Sequence, residues 1–275
     1  MPATTAKPIT RIEAMFEAAK AAGHKVVAPF VTAGDPDPAA TVAILEALDR
    51  AGASLCELGV PYSDPIADGP VIQSSYTRAL AHGISLEHVF GIAKQASSGI
   101  TMPILAMASY SLVFRRGIDR FVGDAIASGL AGFVVPDLPI EESDDLDAAC
   151  RDAGLALVRL VTPTTPPERA AKIASKSTGF LYCVSVAGVT GARTELPPGL
   201  IDRVQWLRTQ TDVPILVGFG ISSPDQVRAV CQVADGAIVG SALVRLVAEH
   251  AGGDRDQLVT AVERFARDLA AAAGG

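Results

Sequence analysis

The segment Leu55–Gln73 sets three carboxylates on a short, stiff length of chain. Glu57 lies in an apolar run, and Asp64 and Asp68 follow in a turn-rich stretch that also holds Pro61, Pro65 and Pro70. Side chains alternate along a strand, so Leu55, Glu57 and Gly59 share one face and Cys56, Leu58 and Val60 the other. The second set suits packing under a helix. The first puts a carboxylate where a core residue normally sits. Without a partner such a group is costly when ionised, and burial raises its pKa. An acid of that kind can both give and take a proton near neutral pH. A paired structural acid is the plainer reading of a buried Glu. Solvated loop acids, however, do not need so many prolines and glycines to hold them still.

The elements that must position these acids follow from the hydrophobic pattern. Short runs rich in Val, Ile, Leu and Phe predict strands over Val26–Thr32, Ala53–Val60, Met102–Ser109, Gly132–Val135, Ala156–Val161, Gly179–Ser185, Pro214–Gly218 and Gly236–Val239. Helical stretches between them include Ala39–Ala51, Ser85–Ser97, Ile118–Ser128, Glu141–Ala153, Pro166–Ser175, Leu200–Thr209 and Pro224–Val233. Thr165-Pro-Pro-Glu168 and Ser223-Pro-Asp-Gln226 both read as capping boxes with proline at the first helical position. An extra helix, Arg11–Ala22, precedes the first strand, and Arg255–Ala271 forms another at the end. Eight strand–helix units in 275 residues predict a (β/α)8 TIM barrel with an extra N-terminal helix and extra C-terminal helical segments. One domain spanning 1–275 is expected, with residues 1–8 as a flexible tail. An open doubly wound sheet would usually show G-x-G-x-x-G after its first strand; here the turn reads Thr32-Ala-Gly-Asp-Pro36.

Bulk properties narrow the partners. The net charge is −7 with no basic patch denser than Arg115-Arg116, so nucleic acid is not expected. No apolar run approaches membrane-spanning length, and the first residues lack the hydrophobic core of a secretion signal. A cytoplasmic protein is expected. Cys56, Cys150, Cys183 and Cys231 have no C-x-x-C spacing and read as buried and inert. His24, His82, His88 and His250 make no metal pattern.

Barrel chemistry sits at the C-terminal ends of the strands, and loops seven and eight commonly cradle phosphate. Gly218-Phe219-Gly220 follows strand seven, Gly240-Ser241 follows strand eight and opens a short helix over Ala242–Ala248, and Ala187–Ala192 with its two glycines follows strand six. Glycine lets backbone N–H groups approach an anion, and a helix N-terminus adds partial positive charge. A phosphorylated small substrate is expected. The lysines (Lys7, Lys20, Lys25, Lys94, Lys172 and Lys176) all fall away from the predicted C-terminal strand ends, where a Schiff-base aldolase needs one. Proton transfer by carboxylates remains.

Six segments then carry a family likeness: Glu57–Gly69, Pro29–Pro36, Pro136–Ser143, Gly188–Ala192, Gly218–Ile221 and Gly240–Ala242. In order and spacing the chain resembles the tryptophan synthase alpha subunit family over nearly its full length. That resemblance implies cleavage of indole-3-glycerol phosphate to indole and glyceraldehyde 3-phosphate. It implies no cofactor in this chain, and a beta subunit that uses pyridoxal phosphate to join indole to serine, in an alpha2beta2 assembly. It puts the general acid–base role on Glu57, the second catalytic acid on Asp68 and the active-site tyrosine on Tyr182. The phosphate cradle falls on Gly191, Gly220, Gly240 and Ser241, and pocket aromatics on Phe30 and Phe219. Thr190 matches a mobile-loop threonine that positions the aspartate, and Asp64 a loop acid that meets the beta subunit.

Two departures stand out. Relatives often carry a tyrosine where Ser109 stands, so a polar aromatic contact to the indole is missing or supplied by Tyr110. Val186 replaces an arginine found in some relatives, which bears on loop closure. On the residues alone, a sugar-phosphate isomerase or epimerase, a docking subunit with weak catalysis, and a stand-alone lyase stay open.

Overall fold

The computed structural model describes residues 10–66, 68–185, 198–218 and 220–274. Eight parallel strands close into a barrel in sequential order. They are β1 (Val26–Thr32), β2 (Cys56–Gly59), β3 (Ile104–Met107), β4 (Gly132–Val134), β5 (Ala156–Val161), β6 (Leu181–Val184), β7 (Ile215–Gly218) and β8 (Gly236–Val239). Twelve α-helices surround them among the described residues: α1 (Arg11–Ala21), α2 (Pro38–Arg50), α3 (Pro70–Ala81), α4 (Leu86–Ser97), α5 (Tyr110–Arg116), α6 (Ile118–Ala127), α7 (Asp144–Ala153), α8 (Pro167–Lys176), α9 (Leu200–Arg208), α10 (Pro224–Cys231), α11 (Ser241–His250) and α12 (Arg255–Gly274). No helix among the described residues is long and apolar enough to cross a membrane.

The strands alternate as the pattern predicts. Ala28, Leu55, Leu105, Val134, Val158, Tyr182, Leu216 and Ile238 share one interior cluster, while Cys56, Leu58 and Val60 belong to the layer between strands and helices. The bottom of the barrel needs a lid, and α1 supplies it: Ile12 and Phe16 join the interior cluster, with the Phe16 ring 5.9 Å from Phe180. Each such side chain contributes about 1.5–3 kcal/mol on burial. A capping box fixes the start of α1, Thr10 Oγ1 accepting from the Glu13 N–H and Glu13 accepting from the Thr10 N–H.

Three local expectations change. Helices α3 and α5 are additional; α3 opens on Gly69-Pro70 with no side-chain cap, and the turn residues before it mask its start. The Thr165 capping box does not form. Thr165 Oγ1 instead accepts from the Thr162 N–H at 3.0 Å and bonds the Thr162 hydroxyl at 2.9 Å, so α8 starts one residue later, after Pro166. The expected Glu141 helix start is a 3-10 turn over Ile140–Glu142, and α7 follows it. The Ser223 box forms as expected.

One buried ion pair ties the helical layer to the barrel. Arg159 on β5 is 6% exposed and bonds Asp147 on α7; its Nη2 also donates to Ser143 Oγ at 3.0 Å. Removing one partner would leave a charge buried alone. Asp147→Ala is expected to cost about 3–5 kcal/mol. An Arg159→Met/Asp147→Ala double variant should recover most of that in urea unfolding.

Candidate active site

Glu57 sits in the middle of β2 and is 1% exposed. Its strand neighbours are Phe30 on β1 and Leu105 on β3, which bring no polar group. Neither carboxylate oxygen has a hydrogen-bond partner. Burial pushes its pKa up to about 8. The acid therefore keeps its proton at neutral pH, in the range a general acid–base needs.

Asp68 stands just before α3, half-buried. Burial, and then the nearby Asp137 carboxylate, push its pKa up to about 6, so at neutral pH it is largely ionised. The backbone holds it: its N–H donates to the Pro65 carbonyl at 3.1 Å, and its carbonyl accepts from Gln73 Nε2 at 2.8 Å. Two acids near each other thus have different protonation states, set by different depths of burial.

Two phenols connect them. Tyr182 on β6 and Tyr76 on α3 are both buried, and both feel the charges of Glu57 and Asp68. Phe30, Ile72, Tyr76 and Val244 form one apolar wall, against which Tyr62 and Met107 pack. Gly59 must be glycine here. A Cβ at that position would stand 2.3 Å from Phe30 Cζ and 2.9 Å from the Tyr76 hydroxyl. Tyr76 and Tyr62 were not among the residues read from the sequence. The signal was the spacing Ile72, Tyr76, Ala79, which marks a buried helix face but not a catalytic one.

One of the glycine loops abuts the same wall. Gly240 caps α11, and a Cβ on it would meet Phe30 Cβ at 3.6 Å. Ser241 is the first residue of α11, and Gly220 follows β7 with φ +83°. Thr190, Gly191, Phe219 and Val186 lie outside the described residues. Asp64 is exposed and accepts from Ser63 Oγ at 2.6 Å. The Ser109 hydroxyl caps α5 and donates to Asp137 at 2.7 Å. Tyr110 lays its ring against Phe114, 6.3 Å between centroids, and Phe114 is 72% exposed. Among the described residues, no lysine stands at a C-terminal strand end. Lys25 precedes β1, and the others lie on α1, α4 and α8.

A buried protonated acid, a half-buried ionised acid and an apolar wall give groups of the kind that proton transfer on an apolar substrate requires. The family model described as tryptophan synthase alpha chain matches residues 16–274. The tryptophan synthase alpha chain of Rhodopirellula baltica is 49% identical over 244 residues, covering 88% of each chain. That of Synechocystis sp. is 48% identical, covering 94% of this chain and 97% of its own. Among solved structures, tryptophan synthase subunit alpha from Legionella pneumophila superposes with a TM-score of 0.87 at 35% identity, covering 96% of this chain and 98% of its own. Mycobacterium tuberculosis tryptophan synthase gives 0.89 at 33%, covering 97% of this chain and 99% of its own. The chain belongs to the tryptophan synthase alpha chain family.

The burial of Glu57 has a thermodynamic signature. The folded chain holds a proton that the unfolded chain releases above its ordinary pKa of 4.5, so stability declines as pH rises from there to about 8 and then levels off. Glu57→Gln lacks that slope. The variant is expected to be more stable than the parent by up to about 3 kcal/mol at pH 7, with the gap closing near pH 4.5. Urea unfolding across pH measures it.

Proposed function

We propose that this member of the tryptophan synthase alpha chain family cleaves indole-3-glycerol phosphate to indole and glyceraldehyde 3-phosphate by carboxylate acid–base catalysis. The observation that carries this reading is Glu57, a carboxylic acid buried inside the barrel with no hydrogen-bond partner among the described residues, which shares the field of Tyr76 and Tyr182 with an ionised Asp68. Glu57 protonates the ring carbon that bears the glycerol chain. The ring becomes electron-poor and accepts the electron pair of the breaking carbon–carbon bond. Glu57, now ionised, takes the proton of the adjacent side-chain hydroxyl as that oxygen becomes the aldehyde. Asp68 stabilises the positive charge that develops at the ring N–H.

The apolar wall of Phe30, Ile72, Tyr76 and Val244 supports an indole slot, with Tyr182 beside the reacting carbons and Phe219 completing the pocket. Gly220, Gly240 and Ser241, joined by Gly191, hold the phosphate through backbone N–H groups. Thr190 positions Asp68.

A beta subunit receives the indole and carries the pyridoxal phosphate of the pair, in an alpha2beta2 assembly in the cytoplasm. Ile66, 93% exposed in the turn after β2 next to Asp64, and Phe114, 72% exposed on α5 after β3, are large apolar side chains left in solvent on segments that follow the C-terminal ends of strands, which supports docking there.

Three outcomes follow. Glu57→Gln should fold and lose turnover of indole-3-glycerol phosphate by about 10⁴-fold or more, since one group serves two proton transfers. The kcat/KM profile should be a bell, with an acid limb near 6 from Asp68, which works ionised, and a basic limb near 8 from Glu57, which starts protonated. A folded Glu57→Gln with near-normal turnover overturns the assignment. Gly220→Val puts a side chain at φ +83° and into the cradle. Steady-state kinetics should show KM raised by about tenfold or more, the equivalent of one lost hydrogen bond.

A further inference from the structure

Tyr76 reaches the site from α3, and its hydroxyl has a defined seat. Gly59 is two residues beyond Glu57 on the same inward face of β2, so it stands about 7 Å higher in the barrel. The Phe30 ring, 2.3 Å from where a Gly59 Cβ would be, and the Tyr76 oxygen, 2.9 Å from it, together take the space on the Glu57 face of β2 that a side chain would otherwise fill. The ring is 1% exposed and is clamped by Tyr62, 5.7 Å between centroids. Helix α3 is itself tied to the barrel. Thr32 Oγ1 and Ser75 Oγ are 2.6 Å apart, and Arg78 makes two bonds to the buried Asp35, at 2.9 and 2.7 Å.

The groups that face Glu57 can be named from every side. Tyr76 approaches from α3 and Tyr182 from β6, while the Cys56 thiol on the same strand points the other way, into the helical layer. Phe30 and Leu105, on the flanking strands, carry no charge. Asp68 lies beyond the phenols, close enough to act on both of them. Burial pushes the Tyr76 phenol well above its ordinary range, so its O–H stays a donor at every working pH. Glu57 meanwhile has both oxygens without partners. When Glu57 gives up its proton, the new anion stands in a buried interior where its charge acts on that phenol, and hydrogen bonds to an ionised acceptor are short and strong.

We propose that Tyr76 is a positioning residue: its O–H donates to the Glu57 carboxylate once that acid is ionised, and holds it facing the hydroxyl whose proton it must take. The proposal rests on Glu57 being the acid–base group. It concerns a hydrogen bond only; Tyr76 keeps its proton throughout.

The test is the pH dependence of kcat and kcat/KM for indole-3-glycerol phosphate in the full-length chain. Tyr76→Phe removes the donor and keeps the ring. The expected result is kcat lowered by about tenfold or more with KM little changed, and a basic limb moved about one unit to higher pH, because the ionised acid has lost its stabilising partner. Site-specific 3-fluorotyrosine at position 76 keeps size and fold, gives a stronger donor, and should move the same limb to lower pH. This second variant keeps the test decisive if Tyr76→Phe does not fold. A merely structural role for Tyr76 moves neither limb. If the profiles superimpose on the parent while Glu57→Gln is inactive, the role of Tyr76 is overturned and that of Glu57 stands. If Glu57→Gln retains turnover, the underlying reading fails first.

Discussion

Closing eight parallel strands leaves an interior that water does not enter, and Glu57 stands in it with neither oxygen hydrogen-bonded. The cost of ionising a carboxylate there is what keeps it protonated at neutral pH. The surroundings preserve that cost. Phe30 and Leu105 flank it on the neighbouring strands, Leu55 lies below it, and Phe30 and Tyr76 crowd the space over Gly59. A permanent polar partner in place of Phe30, Leu105 or Leu55 would stabilise the ionised acid in the resting site, lower its pKa and remove its ability to exchange a proton near pH 7. The barrel thus accepts a local loss of stability at its centre.

The rest of the fold offsets that loss. The interior cluster is sealed below by Ile12 and Phe16 of α1, and the outer layer is continuous from α2 through α4 to α6. Charged groups buried outside the site are, by contrast, paired. Arg159 meets Asp147 and Ser143, and Asp35 meets Arg78. Glu57 is the buried carboxylate left without such pairing among the described residues. Buried carboxyl groups are ordinarily paired or hydrogen-bonded, so the exception supports the catalytic role proposed for Glu57.

Asp68 differs because of where its backbone lies. It sits on a loop rather than in a strand, half-buried, and its neighbour is another carboxylate, Asp137. That repulsion depends on a residue that is also tied to Ser109 and to the Tyr110 N–H, at the start of α5. Asp137 thus links the environment of Asp68 to the start of α5, the helix that carries Tyr110 and Phe114.

Local chemistry in the chain was enough to specify the architecture. Two-residue alternation told inward from outward side chains, so Glu57 could be placed in the barrel interior from Leu55–Val60 alone. Runs of β-branched residues gave the strands to within a few residues, and Ser223 with Gln226 gave a helix start. Thr165-Pro-Pro-Glu168 looked the same as a string, but its hydroxyl was taken by Thr162, a choice made by turn geometry rather than residue type. Helix α3 was hidden because its polar residues, Gln73, Ser74 and Thr77, blur the period that Ile72, Tyr76 and Ala79 carry. With it went Tyr76. A tyrosine on a buried helix face carries no local mark of function. Only the closed barrel brings its hydroxyl, from α3, over a glycine on β2, next to an acid nineteen positions earlier in the chain. Tyr110, offered by the linear pattern as a pocket contact, packs its ring against Phe114, a neighbour the spacing alone does not give. Residue type and spacing decide which groups can do chemistry; the depth at which each is buried, and hence its proton, is decided by contacts between segments distant in sequence.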